Sequence, residues 1–166
     1  MPQSKSVYGF PVRAPFGGEL EYFRANPHVA GMAGEDSSIV LNPFSPNTPE
    51  QQQLVAQNEA VRLWLRKNKV EPKFPVTPDQ FASFKGTEYG KPENIDHLRQ
   101  TLIARMMTGD PSAGGVTGDQ RAFAENIAKR MGIPNSNGYG SDIALRMYGG
   151  GQRNAFAPPL VNHYAK

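Results

Sequence analysis

The chain has 166 residues, no cysteine, and 18 lysines and arginines against 15 aspartates and glutamates. That length suits one domain with a real core. The absence of cysteine excludes disulfides, thiol nucleophiles and thiolate metal ligands, and fits assembly in a reducing cytoplasm. No apolar run approaches the ~18 residues of a membrane span, so no membrane association is expected. Residues 1–18 contain one early lysine and no apolar stretch, so they do not read as a secretory signal. The net charge of +3 sits at the ends: residues 1–16 hold Lys5 and Arg13 with no acid, residues 17–132 hold 13 basic and 14 acidic residues, and residues 133–166 hold Arg146, Arg153 and Lys166 against Asp142. No basic face or known nucleic-acid module is evident, which leaves only weak, sequence-independent contact of the ends with DNA phosphate.

Residues 1–16 scatter Tyr8, Phe10 and Phe16 among Pro2, Gly9, Pro11 and Pro15. The prolines exclude a helix and the spacing is too irregular for a sided strand, so an extended arm is expected, lying on its own domain or on a neighbour. Residues 19–25 suit a short helix with Leu20 and Phe23 inward, ended by Asn26-Pro27. Ile39-Val40-Leu41, closed by Asn42-Pro43, reads as a short extended segment that lies on the helices or pairs with residues 28–32.

Residues 48–68 carry the strongest helical pattern and the only tryptophan. Thr48 is placed to cap, Pro49 suits the first helical position and Gln51 completes a capping box. Leu54, Val61 and Leu65 form an apolar seam that Ala60 and Trp64 widen. Thr77-Pro78-Asp79-Gln80 repeats that start and predicts a helix holding Phe81 and Phe84, stopped by Gly86. Residues 93–108 predict a helix with Ile95, Leu98, Leu102 and Met106 on one side. Thr117-Gly118-Asp119-Gln120 predicts a last helix through Met131, stopped by Gly132. The expectation is a mainly α protein: a domain of four to five helices over 17–132 with one short extended segment, and irregular arms over 1–16 and 133–166.

The chain offers little chemistry. His28, His97 and His163 stand at no metal-ligand spacing, and Gly149-Gly150-Gly151 lacks the lysine of a phosphate loop, so no cofactor or metal is expected. Asn58-Glu59-Ala60-Val61-Arg62 has the layout of a helical zinc-peptidase motif, but asparagine and arginine occupy both ligand positions. Glu59 and Arg62 instead predict a surface pair three residues apart, and Asn58 a bond to the Asn42-Pro43 turn. Glu35 and Asp36 are the one carboxylate pair that a glycosidase could use, although adjacent acids in a Gly/Ser-rich loop usually stay solvated.

A resemblance adds context. Phe23-Arg24-Ala25-Asn26-Pro27-His28-Val29-Ala30-Gly31-Met32-Ala33, Glu35-Asp36, Ile39-Val40-Leu41-Asn42-Pro43, Asn58-Glu59-Ala60 with Arg62, Leu102-Ile103-Ala104-Arg105 and Gly109-Asp110-Pro111-Ser112-Ala113 together resemble a small domain of tailed-bacteriophage structural proteins. The likeness covers about residues 22–131 and carries no established activity, so it implies no catalytic residue. It implies a non-enzymatic virion protein, assembled in the host cytoplasm and located at the capsid, head–tail junction or ejected core. Its partners would be portal, adaptor, capsid or tail subunits, with several copies in a symmetric ring as one arrangement. The anchors expected on its arms are Tyr8, Phe10, Phe16, Arg153, Phe156, Leu160 and Tyr164, and Asn58, Glu59, Arg62 and Trp64 are expected to be structural. The competing expectation is a cell-wall hydrolase, or an accessory to one, with Glu35 and Asp36 as its acids.

Overall fold

The computed structural model describes residues 5–108 and 115–133. The chain begins as a hairpin in which β1 (Ser6–Val7) and β2 (Phe10–Arg13) meet across Tyr8-Gly9. Both turn residues have positive φ (50° and 84°), the mirror-image turn whose twist matches paired strands. Then follow α1 (Gly18–Ala25), β3 (Gly31–Ala33) and β4 (Ile39–Leu41). The rest is helical: α2 (Pro49–Lys67), α3 (Pro78–Ser83), 3-10 turns at Glu88–Gly90 and Pro92–Asn94, α4 (Ile95–Thr108) and α5 (Gly118–Met131).

The helix-rich expectation holds, with a four-stranded sheet, ordered β1-β2-β4-β3, where one extended segment was expected. Pairing of β3 with β4 is antiparallel, through Met32 and Val40. β2 runs parallel to β4, with Val12 opposite Ile39 and Arg13 opposite Val40. Residues 6–13 are therefore part of the body and not an arm. Val7 and Phe10 are 6% and 7% exposed, inside the chain's own core. Pro11 is tolerated because it faces Ser6 between two hydrogen-bonded positions, one of them Val12 N–H to the Lys5 carbonyl at 2.8 Å, and pairing with β4 starts only at Val12.

The period-two alternation of the strands creates two layers. Ile39 and Ala33 face α2 with Val7, Phe10, Ala56, Ala60 and Leu63, while Val40 and Met32 face the opposite side with Phe23 of α1 and Val29. Close approach of α2 requires Gly31, since a Cβ there would stand 2.9 Å from a Val55 methyl. The other side of α2 gives Val61 and Leu65 to a second core with Phe74, Phe84, Tyr89, Leu98, Leu102 and Ile127. Each such large apolar side chain contributes roughly 1.5–3 kcal/mol on burial.

All three capping boxes form: Thr48, Thr77 and Thr117 each accept the backbone N–H of the glutamine three residues on, and that glutamine's amide oxygen accepts the threonine N–H. Two of them are also joined to each other. Gln80 Nε2 donates to Gln120 Oε1 at 2.6 Å and Gln120 Nε2 donates to Gln80 Oε1 at 2.8 Å. The remaining N–H groups donate to the Gly115 and Pro75 carbonyls at 2.6 and 2.9 Å. Both amides are buried and every donor and acceptor is used, so the starts of α3 and α5 are locked together.

Two stability measurements check this architecture. Phe10→Ala should cost about 3–5 kcal/mol in urea unfolding, and Phe16→Ala less than about 0.5 kcal/mol; equal costs would mean the hairpin is not core. Gln80→Ala and Gln120→Ala should each cost about 2–4 kcal/mol, since each loses several buried bonds. Their double variant should fall short of the sum by roughly 0.5–3 kcal/mol.

Candidate functional site

Helix α2 places Asn58, Glu59 and Arg62 between the sheet and α4, where they are 0%, 0% and 1% exposed. The expected surface pair is thus a buried one, because both faces of α2 are covered. Arg62 Nε lies 3.8 Å from Glu59 Oε1. The Arg62 guanidinium is held elsewhere: it donates to Tyr89 Oη at 3.0 Å and to Thr101 Oγ1 at 2.5 Å, and its Cζ stands 5.0 Å from the Tyr89 ring centroid. Thr101 passes the chain of bonds on to the His97 carbonyl at 2.8 Å. Asn58 does not bond to the Asn42-Pro43 turn as the sequence suggests; its Oδ1 meets the Thr108 hydroxyl at 2.7 Å. Asn42 closes its own loop, donating to the Val29 carbonyl at 2.6 Å and accepting from Phe44 N–H at 2.8 Å.

Neither oxygen of Glu59 meets a hydrogen-bond donor among the described residues. Burial therefore pushes its carboxyl above the usual range, and the opposing pull of Arg62 and then Arg66 is the smaller effect. Glu59 is thus fully enclosed, while Asn58 and Arg62 bond to side chains of α4 and of the 3-10 turn at Glu88–Gly90. Arg105, from the same resemblance, lies buried with its guanidinium 4.9 Å from the Phe84 ring.

On the surface, Arg13 joins three elements. Its guanidinium takes Glu19 of α1 in a two-pronged contact at 2.7 and 2.8 Å, and its Nε donates to Asp36 Oδ2 at 3.0 Å and Ser38 Oγ at 2.7 Å. The network fastens the end of β2 to the start of α1 and to the β3–β4 loop. It also lies against Phe16, which stands 67% exposed with Arg13 Cζ 4.6 Å from its ring centroid. Hydrogen bonds from Ser38 and then Arg13 hold the Asp36 carboxyl down at about 2. Sequence reading missed this network because its members are 6 and 23 residues apart with no shared pattern. Glu35 is exposed in the same loop. Two grooves flank that loop: one of about 490 Å³ beside Phe16 and Glu19, the other of about 540 Å³ between Tyr8 and Trp64.

The anchors expected from the sequence therefore separate. Phe16 is open to solvent, Tyr8 stands on a groove wall at 37% exposure, and Phe10 is withdrawn into the core. Arg153, Phe156, Leu160 and Tyr164 lie outside the described residues. Trp64 bridges the sheet-side and helix-side cores, with the Arg130 guanidinium 5.0 Å from its ring. Phe44, not singled out by sequence, is 41% exposed beneath Arg24. Among the described residues no three His, Cys, Asp or Glu side chains stand where they could hold a metal ion, and no helix is long and apolar enough to cross a membrane. The fold is a small α+β domain, and comparison with models of known families, with curated proteins and with solved structures gives no match.

The Glu59 arrangement sets a pH dependence. A carboxyl whose folded value is raised binds its proton more tightly in the native state, so its stabilising contribution is full below pH 4.5, its ordinary value, and is lost as pH rises through the raised one. Glu59→Gln should remove that decline, which urea unfolding from pH 4 to 8 would show as a flatter profile than the parent's. Arg62→Met should cost about 2–4 kcal/mol at neutral pH, because it removes the buried hydrogen bonds to Tyr89 and Thr101.

Proposed function

We propose that this chain is a non-enzymatic structural protein of a tailed-phage virion, at the capsid, head–tail junction or ejected core. It docks on portal, adaptor, capsid or tail subunits through Phe16 and through Arg153, Phe156, Leu160 and Tyr164. The observation that carries this reading is Phe16: a large ring 67% exposed to solvent, beside an arginine that is itself paired with Glu19 and Asp36. A large exposed aromatic buries much apolar area on docking, as interface anchors do. The resemblance of its motif order to phage structural proteins supplies the context, and several of those motifs correspond to buried contacts of Asn42, Asn58, Glu59 and Arg62.

The competing reading, a wall hydrolase with Glu35 and Asp36 as acids, is less well supported. A general acid must hold its proton near neutral pH. Asp36 is drawn to about 2 by Ser38 and Arg13, and its oxygens are committed to them.

Incorporation into particles separates the two. Phe16→Ala, and separately a chain ending at residue 151, should each reduce copies per purified particle at least tenfold while circular dichroism stays at the parent's value. Unchanged incorporation of both would refute the docking role. Peptidoglycan turnover by the purified chain that disappears in Glu35→Gln would establish the hydrolase instead.

A further inference from the structure

Glu59 is enclosed at 0% exposure, with no hydrogen-bond donor at either carboxyl oxygen among the described residues. Asn58, equally buried, is half satisfied. Its Oδ1 accepts from the Thr108 hydroxyl at 2.7 Å, while its Nδ2 meets no acceptor among the described residues. The two residues precede Arg62 by three and four positions, which puts all three on one side of α2. Arg62 Nε stands 3.8 Å from Glu59 Oε1, beyond a direct hydrogen bond and within the span of a bridging molecule. Buried carboxyl and amide groups are almost always hydrogen-bonded in folded proteins, because a bare one forfeits the hydration it had in the unfolded chain.

We infer that Glu59 and Asn58 line an enclosed hydration site, which holds at least one water bonded to the Glu59 carboxyl and to Asn58 Nδ2. The surroundings select water over an ion. A metal ion would share the carboxylate with the Arg62 guanidinium, and Arg66 follows one turn later on the same side of α2. Among the described residues no three His, Cys, Asp or Glu side chains gather to complete a ligand set. An anion would face the carboxylate itself. Water carries two O–H donors and two acceptor lone pairs, so a single molecule can serve the carboxyl oxygens and the amide N–H together. It also fits the carboxyl in either charge state, donating to it when ionised and accepting from it when protonated. Neither Asn58 nor Glu59 lines the grooves beside Phe16 and Tyr8, and the site is independent of the phage assignment.

Magnetic relaxation dispersion of the solvent counts the waters that a protein holds inside it. The full chain and its Glu59→Leu variant should be compared at equal concentration, and the variant should hold at least one long-lived water fewer. In the parent, the side-chain amide protons of Asn58 should show cross-peaks to water in nuclear magnetic resonance, and these should vanish in Glu59→Leu. Should that variant fail to fold by circular dichroism, Glu59→Met, which keeps the side chain's length, takes its place with the same expected losses. Absence of the Asn58 cross-peaks in the parent would overturn the proposal, as would a folded variant that retains the parent's count. So would an unfolding midpoint that rises with sodium, magnesium or calcium at fixed ionic strength in the parent and not in the variant, since the occupant would then be a cation.

Discussion

Helix α2 has no water-facing side over most of its length, and that constraint organises the rest of the molecule. Eleven of its 19 residues are buried, from Gln51 to Leu65. A helix covered by a sheet on one face and by helices on the other must enclose whatever polar residues it carries. Those residues must then find partners from several elements. Arg62 does so through Tyr89 and Thr101, and Asn58 through Thr108, so α2, α4 and the 3-10 turn at Glu88–Gly90 are tied by side chains with few alternative arrangements. Glu59 is the unbalanced member, closest to Arg62 but with no donor of its own. Replacing such a group by a neutral one commonly costs nothing, whereas stranding its partner is expensive. The arrangement therefore favours one packing of α2 more than it adds to total stability.

The same covering explains why the molecule's interactive features lie at its edge. The sheet is short and its central strand β4 is paired on both sides, so what remains outside is a rim: the β1–β2 turn, Phe16 ahead of α1, and the β3–β4 loop. Arg13 draws these together through Glu19, Asp36 and Ser38. Its pairs are partly exposed and contribute little free energy individually, but a two-pronged arginine contact is directional and fixes how the rim is presented. That rim, with Phe16 at its edge, is what the proposed docking role rests on.

Much of the helical half is legible in the sequence because its signals are local. A threonine, a turn-friendly residue, an acid and a glutamine within four positions are sufficient to place three helix starts. Gly132 likewise marks the end of α5, at φ 72°. The α3 segment ends at Ser83, short of Gly86, and α4 begins at Ile95 because Pro92–Asn94 winds as a 3-10 turn. What the sequence hides is pairing between distant segments. β2 and β4 match only two residues each across more than 25 positions, and Pro11 argues against a strand until its hydrogen-bond partners are known. Tyr8-Gly9 between Val7 and Phe10 was the available hairpin signal, weaker than Asn-Gly because tyrosine rarely takes positive φ. Spacing alone also gives the same Glu59–Arg62 pairing on an exposed helix and on an enclosed one. Only the unforeseen sheet, covering the second face, decides between them. The glutamine pair was half visible: each cap could be read, but not their contact across 40 residues.

If α2 joins the sheet and the helices into one cooperative unit, native-state amide exchange under low denaturant tests it most directly. The account predicts that the slowest amides of Ile39 and Val40 in β4, Leu63 in α2 and Leu102 in α4 converge on a single opening free energy equal to that of global unfolding. Amides of β4 that exchange through a separate, lower-energy opening while α4 and α5 stay protected would contradict it.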